Sequence, residues 1–148
     1  MERDLVRRDQ FGADVLALLD QGRLIPATDY VNAQRLRRLK QEEFSAVWSQ
    51  ADCLVTPTTP TTAPLIGQTS VDIRGKSEDV RLATTSFVRA INVLGLPALS
   101  MPCGFDPRGL PIGMQIVGRP FDEALILRLA AALEDAIPPP PAGRGMRV

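Results

Sequence analysis

The sequence predicts an α/β fold whose sheet is incomplete. Segments with apolar residues at helical spacing alternate along the chain with short, continuous apolar runs of strand length. Only three such runs occur, which is few for an α/β sheet, and runs this apolar need cover on both faces and neighbours at both edges. We therefore expect that a missing part of the same polypeptide, or a partner chain, completes the sheet.

Two helices are predicted in the first third of the chain. Residues 2–20 carry an apolar stripe at mostly helical spacing, and the predicted helix ends before Gly22. Thr28 or Asp29 can cap a second helix, which runs to about Gln50. Each stripe predicts a helix face that packs against the rest of the fold.

A short strand and a long connection are predicted next. The apolar run at residues 52–56 is typical of a buried strand in a parallel sheet. Residues 57–81 are rich in proline and threonine and predict an irregular segment. Segments of that length inside a compact domain are usually functional or disordered, although a covered surface excursion is the simpler explanation.

The second half predicts a helix followed by a β-hairpin. Residues 82–94 have a helical pattern, and Gly95 stands where a left-handed helix cap is needed. Residues 98–101 and 112–117 have the composition of buried strands. Residues 105–110 between them have the Pro and Gly placement of a turn, so the two strands should pair antiparallel.

A final amphipathic helix closes the predicted domain. Asp122 can cap this helix. Its inner face would carry five apolar residues: Leu125, Ile126, Leu129, Leu133 and Ile137. Prolines at 138–141 end it. We therefore expect one domain over residues 1–137 and a Pro-rich flexible tail over residues 138–148.

The charge pattern argues against nucleic acid and membrane as partners. The chain has 17 basic and 17 acidic residues and a net charge of zero. A basic cluster at residues 35–40 is compatible with a polyanion contact, but Glu42 and Glu43 follow it and favour a solvated helix face. No apolar run approaches a membrane span, and the charged N-terminus is unlike a signal peptide, so a cytoplasmic location is expected.

The residue types present exclude several common chemistries. The chain has no histidine, which excludes Ser-His-Asp and Cys-His mechanisms and most zinc sites. Cys53 and Cys103 lack metal-ligand spacing, and we expect both to be reduced and buried. No metal and no cofactor is expected.

Three groups of residues, in order and at matching spacing, resemble the amidase-signature family. The first group is Asp29-Tyr30, residues 52–60 and Ala63-Pro64. The second is Asn92, Gly95, Pro97-Ala98, Ser100, Pro102 and Gly104. The third is Gly109-Leu-Pro-Ile-Gly-Met-Gln115, Gly118, Pro120-Phe121 and Glu134. The resemblance covers about residues 4–136 and is most specific in the third group.

This resemblance implies a fold and a reaction. The fold would be a three-layer α/β/α sandwich around a mixed sheet, with residues 1–137 as the C-terminal part of the domain. The reaction would be hydrolysis of an amide C–N bond by a nucleophilic Ser, a bridging Ser in a cis peptide and a Lys base. Such a hydroxyl needs a base, and the oxyanion needs N–H donors, which a Gly/Ser-rich segment supplies in that family. This sequence has no Gly-Gly pair and no such segment, so no triad residue transfers and the isolated chain is expected to be inactive.

The serines and lysines that are present offer weak alternatives to that triad. Ser100 stands between apolar residues of a predicted strand, where its hydroxyl would be satisfied inside the sheet. Lys76 and Ser77 are adjacent and could form a Ser/Lys pair, but a solvated pair in a loop explains them better.

The resemblance also implies a wall of the substrate pocket, because in the family the helix before Asn92 lies beside the substrate. Thr85, Val88 and Ile91 share one face of that helix, and the side chain of Asn92 can tie the helix end to the loop. Ordinary core packing explains Val88 and Ile91 equally well. An acidic residue expected near Thr85 in the amidotransferase branch is absent, which favours a general amidase.

Two classes of function follow. The first is a C-terminal fragment of a serine amidase, which supplies scaffold and pocket wall for a small-molecule amide and needs an N-terminal amidase half. The alternative is a stand-alone, non-catalytic module that completes its sheet by binding a partner or by forming a homodimer. An enzyme of unfamiliar chemistry is disfavoured, because no cluster of Asp, Glu and Lys is evident. In either case we expect the isolated chain to fold poorly or to associate.

Overall fold

The structure, a computed structural model, describes residues 6–137. The chain divides into two compact units, Met1–Lys40 and Gln41–Val148. The predicted tail over residues 138–148 and the first residues of the predicted N-terminal helix lie outside the described part. No helix within residues 6–137 combines the length and apolarity needed to cross a membrane.

The first unit is helical. A 3-10 turn (Arg8–Gln10) precedes α1 (Ala13–Arg23), and α2 begins at Ala27. The Arg8 guanidinium donates to both carboxylate oxygens of Asp20, at 2.9 and 2.6 Å. None of the residues of α1 or α2 is fully buried. In the predicted apolar stripes Leu16 and Leu19 are half-buried, while Val15, Val31, Leu36 and Leu39 are exposed.

Both predicted N-terminal helices need correction at their ends. The first begins only at Ala13 and includes Gly22, whose absent Cβ would meet no atom within 4 Å. A glycine in an exposed helix weakens it by about 1 kcal/mol relative to alanine and need not end it. The second helix, α2 (Ala27–Ser45), starts before both Thr28 and Asp29, so neither caps it, and the N–H of Asp29 donates to the carbonyl of Pro26.

The second unit contains most of the regular structure. After a 3-10 turn at Ala46–Ser49 its elements in chain order are β1 (Cys53–Pro57), β2 (Ser70–Ile73), β3 (Lys76–Asp79), α3 (Val80–Thr84), α4 (Ser86–Leu94), β4 (Ala98–Phe105), β5 (Pro111–Gly118) and α5 (Glu123–Glu134). The α/β class is confirmed.

The main sheet has the order β1-β5-β4, and both of its strand pairs are antiparallel. Val55 and Leu99 both stand opposite Ile116. The prediction that residues 52–56 form a strand of a parallel sheet is therefore wrong for the pairing of β1 with β5. An apolar run marks burial, but the direction of pairing depends on which strand lies beside it. Within residues 6–137, β1 and β4 have no second neighbour, as the incomplete sheet requires.

A second, two-stranded sheet replaces much of the predicted irregular segment. β2 and β3 pair antiparallel from Ser70 opposite Asp79 to Ile73 opposite Lys76. The turn between them places Arg74 and Gly75 at φ values of 55° and 80°. Two successive residues with positive φ are what a two-residue hairpin turn requires. Residues 58–69 remain irregular.

The predicted helix over residues 82–94 is divided. The Asp79 carboxylate caps α3 by accepting from the N–H groups of Arg81 and Leu82, at 2.9 and 3.2 Å. Thr85 lies at the break, and its hydroxyl donates to the Arg81 carbonyl at 2.8 Å. The second helix, α4, ends as predicted at Gly95, which has a φ of 71°.

The core lies between α5 and one face of the main sheet. Met101 and Ile116 of the sheet pack against Ile126 and Ala130 of the helix. Leu129, Leu133 and Ile137 are partly buried there, as predicted for the inner face. Asp122 stands at the N-cap position of α5, but its side chain makes no capping hydrogen bond, contrary to the prediction. Gly118 permits the close approach, because a Cβ there would lie 2.7 Å from the Cγ2 of Ile126.

The cysteines differ from each other. Cys53 is half-buried at the edge of the core, and Cys103 is exposed; both are free thiols. The expectation that both are buried is therefore wrong for Cys103. It lies in the β-bulge between Pro102 and Gly104, where the strand has one extra residue.

Candidate functional site

A concavity of about 710 Å³ lies in the second unit. It is bounded by the start of the irregular segment, the β2–β3 hairpin, the first turn of α4 and one residue of β5. Its lining residues are Pro57, Thr59, Pro60, Asp72, Ile73, Arg74, Glu78, Ser86, Phe87 and Ile112. Phe87 and Ile112 are exposed to this space, so one wall is apolar.

The irregular segment is held to the sheet where it enters this concavity. The N–H of Thr58 continues the β1–β5 ladder by donating to the Gly113 carbonyl at 2.9 Å. The Thr58 and Ser100 hydroxyls meet across Gly113 at 2.7 Å. A Cβ on Gly113 would lie 3.0 Å from the Thr58 Oγ1. The glycine thus leaves room for the two hydroxyls, and Thr59 and Pro60 extend from this point along the concavity.

Asp106 anchors the far part of the same segment. Its carboxylate accepts from the Thr62 hydroxyl at 2.9 Å, from the Arg108 guanidinium at 3.0 Å and from the N–H of Leu110 at 2.9 Å. Burial raises the pKa of Asp106, but these hydrogen bonds outweigh it and lower the pKa from 3.8 to about 2. The β4–β5 turn and the irregular segment are therefore joined through an ionised carboxylate.

The hairpin supplies the charged rim. Asp72 Oδ1 accepts from the N–H of Gly75 at 3.0 Å, which stabilises the turn. Asp72, Arg74 and Glu78 line the concavity from this side. A lining that combines apolar and charged side chains can bind a molecule with an apolar part and a polar group.

The four residues predicted for the pocket wall lie next to this concavity in sequence. Thr85 and Asn92 are exposed, and Val88 and Ile91 are half-buried. None of the four is among the lining residues; from this helix only Ser86 and Phe87, in its first turn, line the concavity. The bonds at the helix end are made by backbone groups, with the N–H of Gly95 donating to the carbonyls of Ile91 and Asn92.

The structure gives little support to the local alternatives to the triad. Lys76 and Ser77 are successive residues of β3, and successive side chains of a strand point to opposite faces. Ser100 has a hydroxyl partner in Thr58, although it is exposed and not enclosed by the sheet. Among residues 6–137 no three Cys, Asp or Glu side chains are grouped as metal ligands would be.

Residues that sequence reasoning missed are Ser86, Phe87 and the hairpin residues. A signal for the hairpin was present in the sequence: Val71 and Ile73 alternate with polar residues ahead of the Arg74-Gly75 turn.

A second cavity, of about 220 Å³, lies elsewhere in the unit and is lined by Gln41, Phe44, Ser45, Trp48, Leu94, Leu96 and Pro120.

Comparison with known proteins agrees with the resemblance seen in the motifs. The sequence model of the Amidase family matches residues 4–127. A fatty acid amide hydrolase of Medicago truncatula is 47% identical over 112 residues, which is 73% of this chain and 18% of that protein. A glutamyl-tRNA(Gln) amidotransferase subunit of Halothermothrix orenii is 38% identical over 136 residues, covering 88% of this chain and 27% of that protein.

A solved structure shares the fold described above. A crystal structure of an amidase superimposes on 89% of this chain with a TM-score of 0.82 and 26% sequence identity, and the match covers 30% of that protein. The chain thus spans well under half the length of the relatives that it matches. The irregular segment, the Gly95 helix end and the β5 motif all fall within the matched region, and the chain belongs to the Amidase family.

Proposed function

We propose that this polypeptide supplies the scaffold and one wall of the substrate pocket to an enzyme that hydrolyses amide C–N bonds. The nucleophilic Ser, the cis-Ser and the Lys base would come from further amidase polypeptide, and this chain would contribute none of them. The observation that carries the proposal is the position of the concavity. It lies where the segment after β1 meets the family's β5 motif, beside the Thr58–Ser100 contact over Gly113.

The chemistry of the concavity supports an amide with an apolar acyl group. Phe87 and Ile112 offer an apolar surface, while Arg74 and Ser86 add polar groups to the lining. The Medicago relative is a fatty acid amide hydrolase. We extend that substrate class to this chain as part of the proposal. Thr85, Val88, Ile91 and Asn92 stay predicted wall residues, to which we add Ser86 and Phe87.

The test uses the purified full chain and octanamide, an amide of eight carbons. Saturation-transfer NMR should detect binding of octanamide, and ammonia release should not exceed the blank. Phe87→Ala should weaken binding about tenfold, since losing part of the contact between this half-exposed ring and the acyl group costs about 1.4 kcal/mol. Phe121→Ala is the matched control, because Phe121 is 96% exposed and does not line the concavity.

Each part of the proposal can fail separately. Ammonia release by the chain alone would show that it contains its own catalytic groups. If Phe87→Ala left the binding of octanamide unchanged, octanamide would bind at another place in the molecule.

The second candidate is a non-catalytic module that binds through its sheet; the two strand edges that are unpaired among residues 6–137 are compatible with it and with the first candidate equally. The partner would be another protein or a second copy. The size of the polypeptide in its source cells, detected with an antibody to residues 92–115, separates the candidates. A size well above 16.1 kDa supports the first, and 16.1 kDa supports the second. The cytoplasmic location stays a prediction of the sequence.

A further inference from the structure

Residues 58–62, here called the strap, carry part of the concavity wall between two points of attachment. Thr59 and Pro60 line the concavity. Thr58, which precedes them, is attached to the main sheet through its N–H and its hydroxyl, as described above. The second attachment is at Thr62, which does not itself line the concavity. The position of this part of the wall therefore depends on what holds Thr62.

The two carboxylate oxygens of Asp106 bond to different parts of the molecule. Oδ1 accepts from the N–H groups of Arg108 and Leu110, at 2.8 and 2.9 Å, and so stabilises the β4–β5 turn. Oδ2 accepts from the Thr62 hydroxyl at 2.9 Å and from the Arg108 Nε at 3.0 Å. One oxygen thus serves the turn, and the other serves the strap.

The Thr62 hydroxyl is held in a single orientation by this attachment. It donates its proton to Asp106 Oδ2 and accepts from the Arg108 Nη2 at 2.8 Å, so the three side chains form a closed ring of hydrogen bonds. The Asp106 side chain is only 13% exposed, and its lowered pKa keeps the carboxylate ionised at neutral pH. Hydrogen bonds to a charged acceptor are stronger than those between neutral groups, so the ring fixes the end of the strap firmly to the turn.

The three residues between the attachments have little conformational freedom of their own. The φ of Pro60 is fixed by its ring, and Thr59 is restricted to extended conformations because a proline follows it. The Thr59 hydroxyl also donates to the Thr61 carbonyl at 2.7 Å. With both attachments in place the wall is therefore ordered before any ligand arrives. Without the second attachment, the chain after Thr58 would next join a sheet only at β2, which begins at Ser70.

We propose that Asp106 is a positioning residue for ligand binding in the concavity. Through the Thr62 hydroxyl, its Oδ2 atom holds the strap so that Thr59 and Pro60 stay where a bound amide contacts them. Asp106 does not touch the ligand, because it is not among the lining residues. A wall that is already ordered binds more tightly, since binding does not have to order it. The inference rests on the proposed function, which assigns the amide to this concavity.

Three variants separate the attachment of the strap from the structure of the turn. In Asp106→Asn one oxygen remains to accept from the N–H groups of the turn, but an NH2 group replaces the oxygen that accepts from the Thr62 hydroxyl. Thr62→Val removes the same bond from the other side, because valine has nearly the shape of threonine and no hydroxyl. Thr62→Ser keeps the hydroxyl and is the conservative variant that should rescue the attachment.

The first readout is the Kd for octanamide, measured on the full chain by saturation-transfer NMR. We expect the Kd to rise about tenfold in Asp106→Asn and in Thr62→Val, which corresponds to ordering about one residue of backbone on binding. Thr62→Ser should leave the Kd within twofold. Arg119→Ala is the stability control and should do the same, because the Arg119 guanidinium bonds to residues 48–52 and not to the strap.

Backbone ¹⁵N relaxation gives a second readout that needs no ligand. In the parent chain the order parameters of the Thr59 and Thr61 N–H groups should be about 0.85, the value of rigid backbone. In Asp106→Asn and Thr62→Val they should fall below about 0.6, the range of flexible backbone. The order parameter of Val55 in β1 should not change in either variant, because β1 is paired with β5 independently of the strap.

The outcomes distinguish this inference from the proposed function. If the parent chain does not bind octanamide, the proposed function fails, and the order parameters alone decide whether Asp106 positions the strap. If octanamide binds, an unchanged Kd or unchanged order parameters in Thr62→Val would overturn the positioning role. An equal rise of the Kd in Arg119→Ala would also overturn it, because lost stability would then explain the effect.

Discussion

Gly118→Ala tests how closely the main sheet and α5 approach each other. The added Cβ would lie 2.7 Å from Ile126 Cγ2, 3.5 Å from the Asp122 carbonyl oxygen and 3.6 Å from Pro97 Cγ. The first distance is about 1 Å shorter than an ordinary carbon–carbon contact. Because Ile126 is almost fully buried, the methyl group cannot move away without shifting the helix.

The expected cost is that of overpacking a core, about 1–3 kcal/mol. A change of about 1 kcal/mol moves the Tm of a domain of this size by roughly 2–8 °C. Thermal unfolding followed by circular dichroism at 222 nm measures the Tm. Hydrogen exchange of the β5 amides gives the local effect where unfolding is not sharply cooperative.

A rescue variant isolates the cause. Ile126→Leu removes the Cγ2 atom and keeps the volume, so the double variant Gly118→Ala with Ile126→Leu should recover at least about 0.5 kcal/mol relative to the sum of the single changes. Gly22→Ala is the control, because a Cβ there has open space and should leave stability unchanged or raise it by up to about 1 kcal/mol. Equal Tm values for Gly118→Ala and the parent chain would refute the reasoning.

Three further predictions concern single side chains. The pKa of Asp106 is lowered from 3.8 to about 2. The stability that its ionised carboxylate contributes is therefore complete above about pH 4 and is lost as the pH falls through 2. Asp106→Asn should therefore show a shallower loss of stability over that interval in acid unfolding, and an unchanged slope would contradict this. Arg119→Ala should lower stability by about 1–2 kcal/mol in urea unfolding, because it frees the carbonyls of Trp48 and Ala51. Asp52→Asn should change the stability by less than about 0.5 kcal/mol, since the Asp52 carboxylate is 86% exposed. If Asp52→Asn and Arg119→Ala lowered the stability equally, the ion pair and not the bonds to the carbonyls would be the cause. Gly95→Ala should cost about 1–2 kcal/mol by the same measurement, because its φ is 71°, and a neutral result would mean that the helix end had rearranged.

The parts of the fold that were predicted correctly have local causes. Gly95 ends α4 because a residue at positive φ is needed there, and glycine meets that need within its own segment. The β4–β5 hairpin is likewise specified by two strands and the turn between them. The direction of β1 could not be predicted, because it depends on β5, which lies more than fifty residues further along the chain.

The errors arose where side chains compete with the backbone or where composition misleads. Thr85 interrupts a helical pattern because its hydroxyl bonds to the Arg81 carbonyl, an alternative that periodicity does not register. The β2–β3 hairpin turns at Arg74-Gly75, and arginine is not among the usual residues at positive φ. Both features shape the concavity, which is why its lining residues Ser86 and Phe87 were missed.

The order β1-β5-β4 has a consequence for synthesis on the ribosome. β1 emerges about sixty residues before the strand that pairs with it, which corresponds to roughly 3–12 seconds at ordinary elongation rates. Throughout that interval the edge of β1 that pairs with β5 has no partner, and β4, emerging later, also waits for β5. These apolar strands therefore stay without their shared neighbour until β5 has been made as far as Gly118.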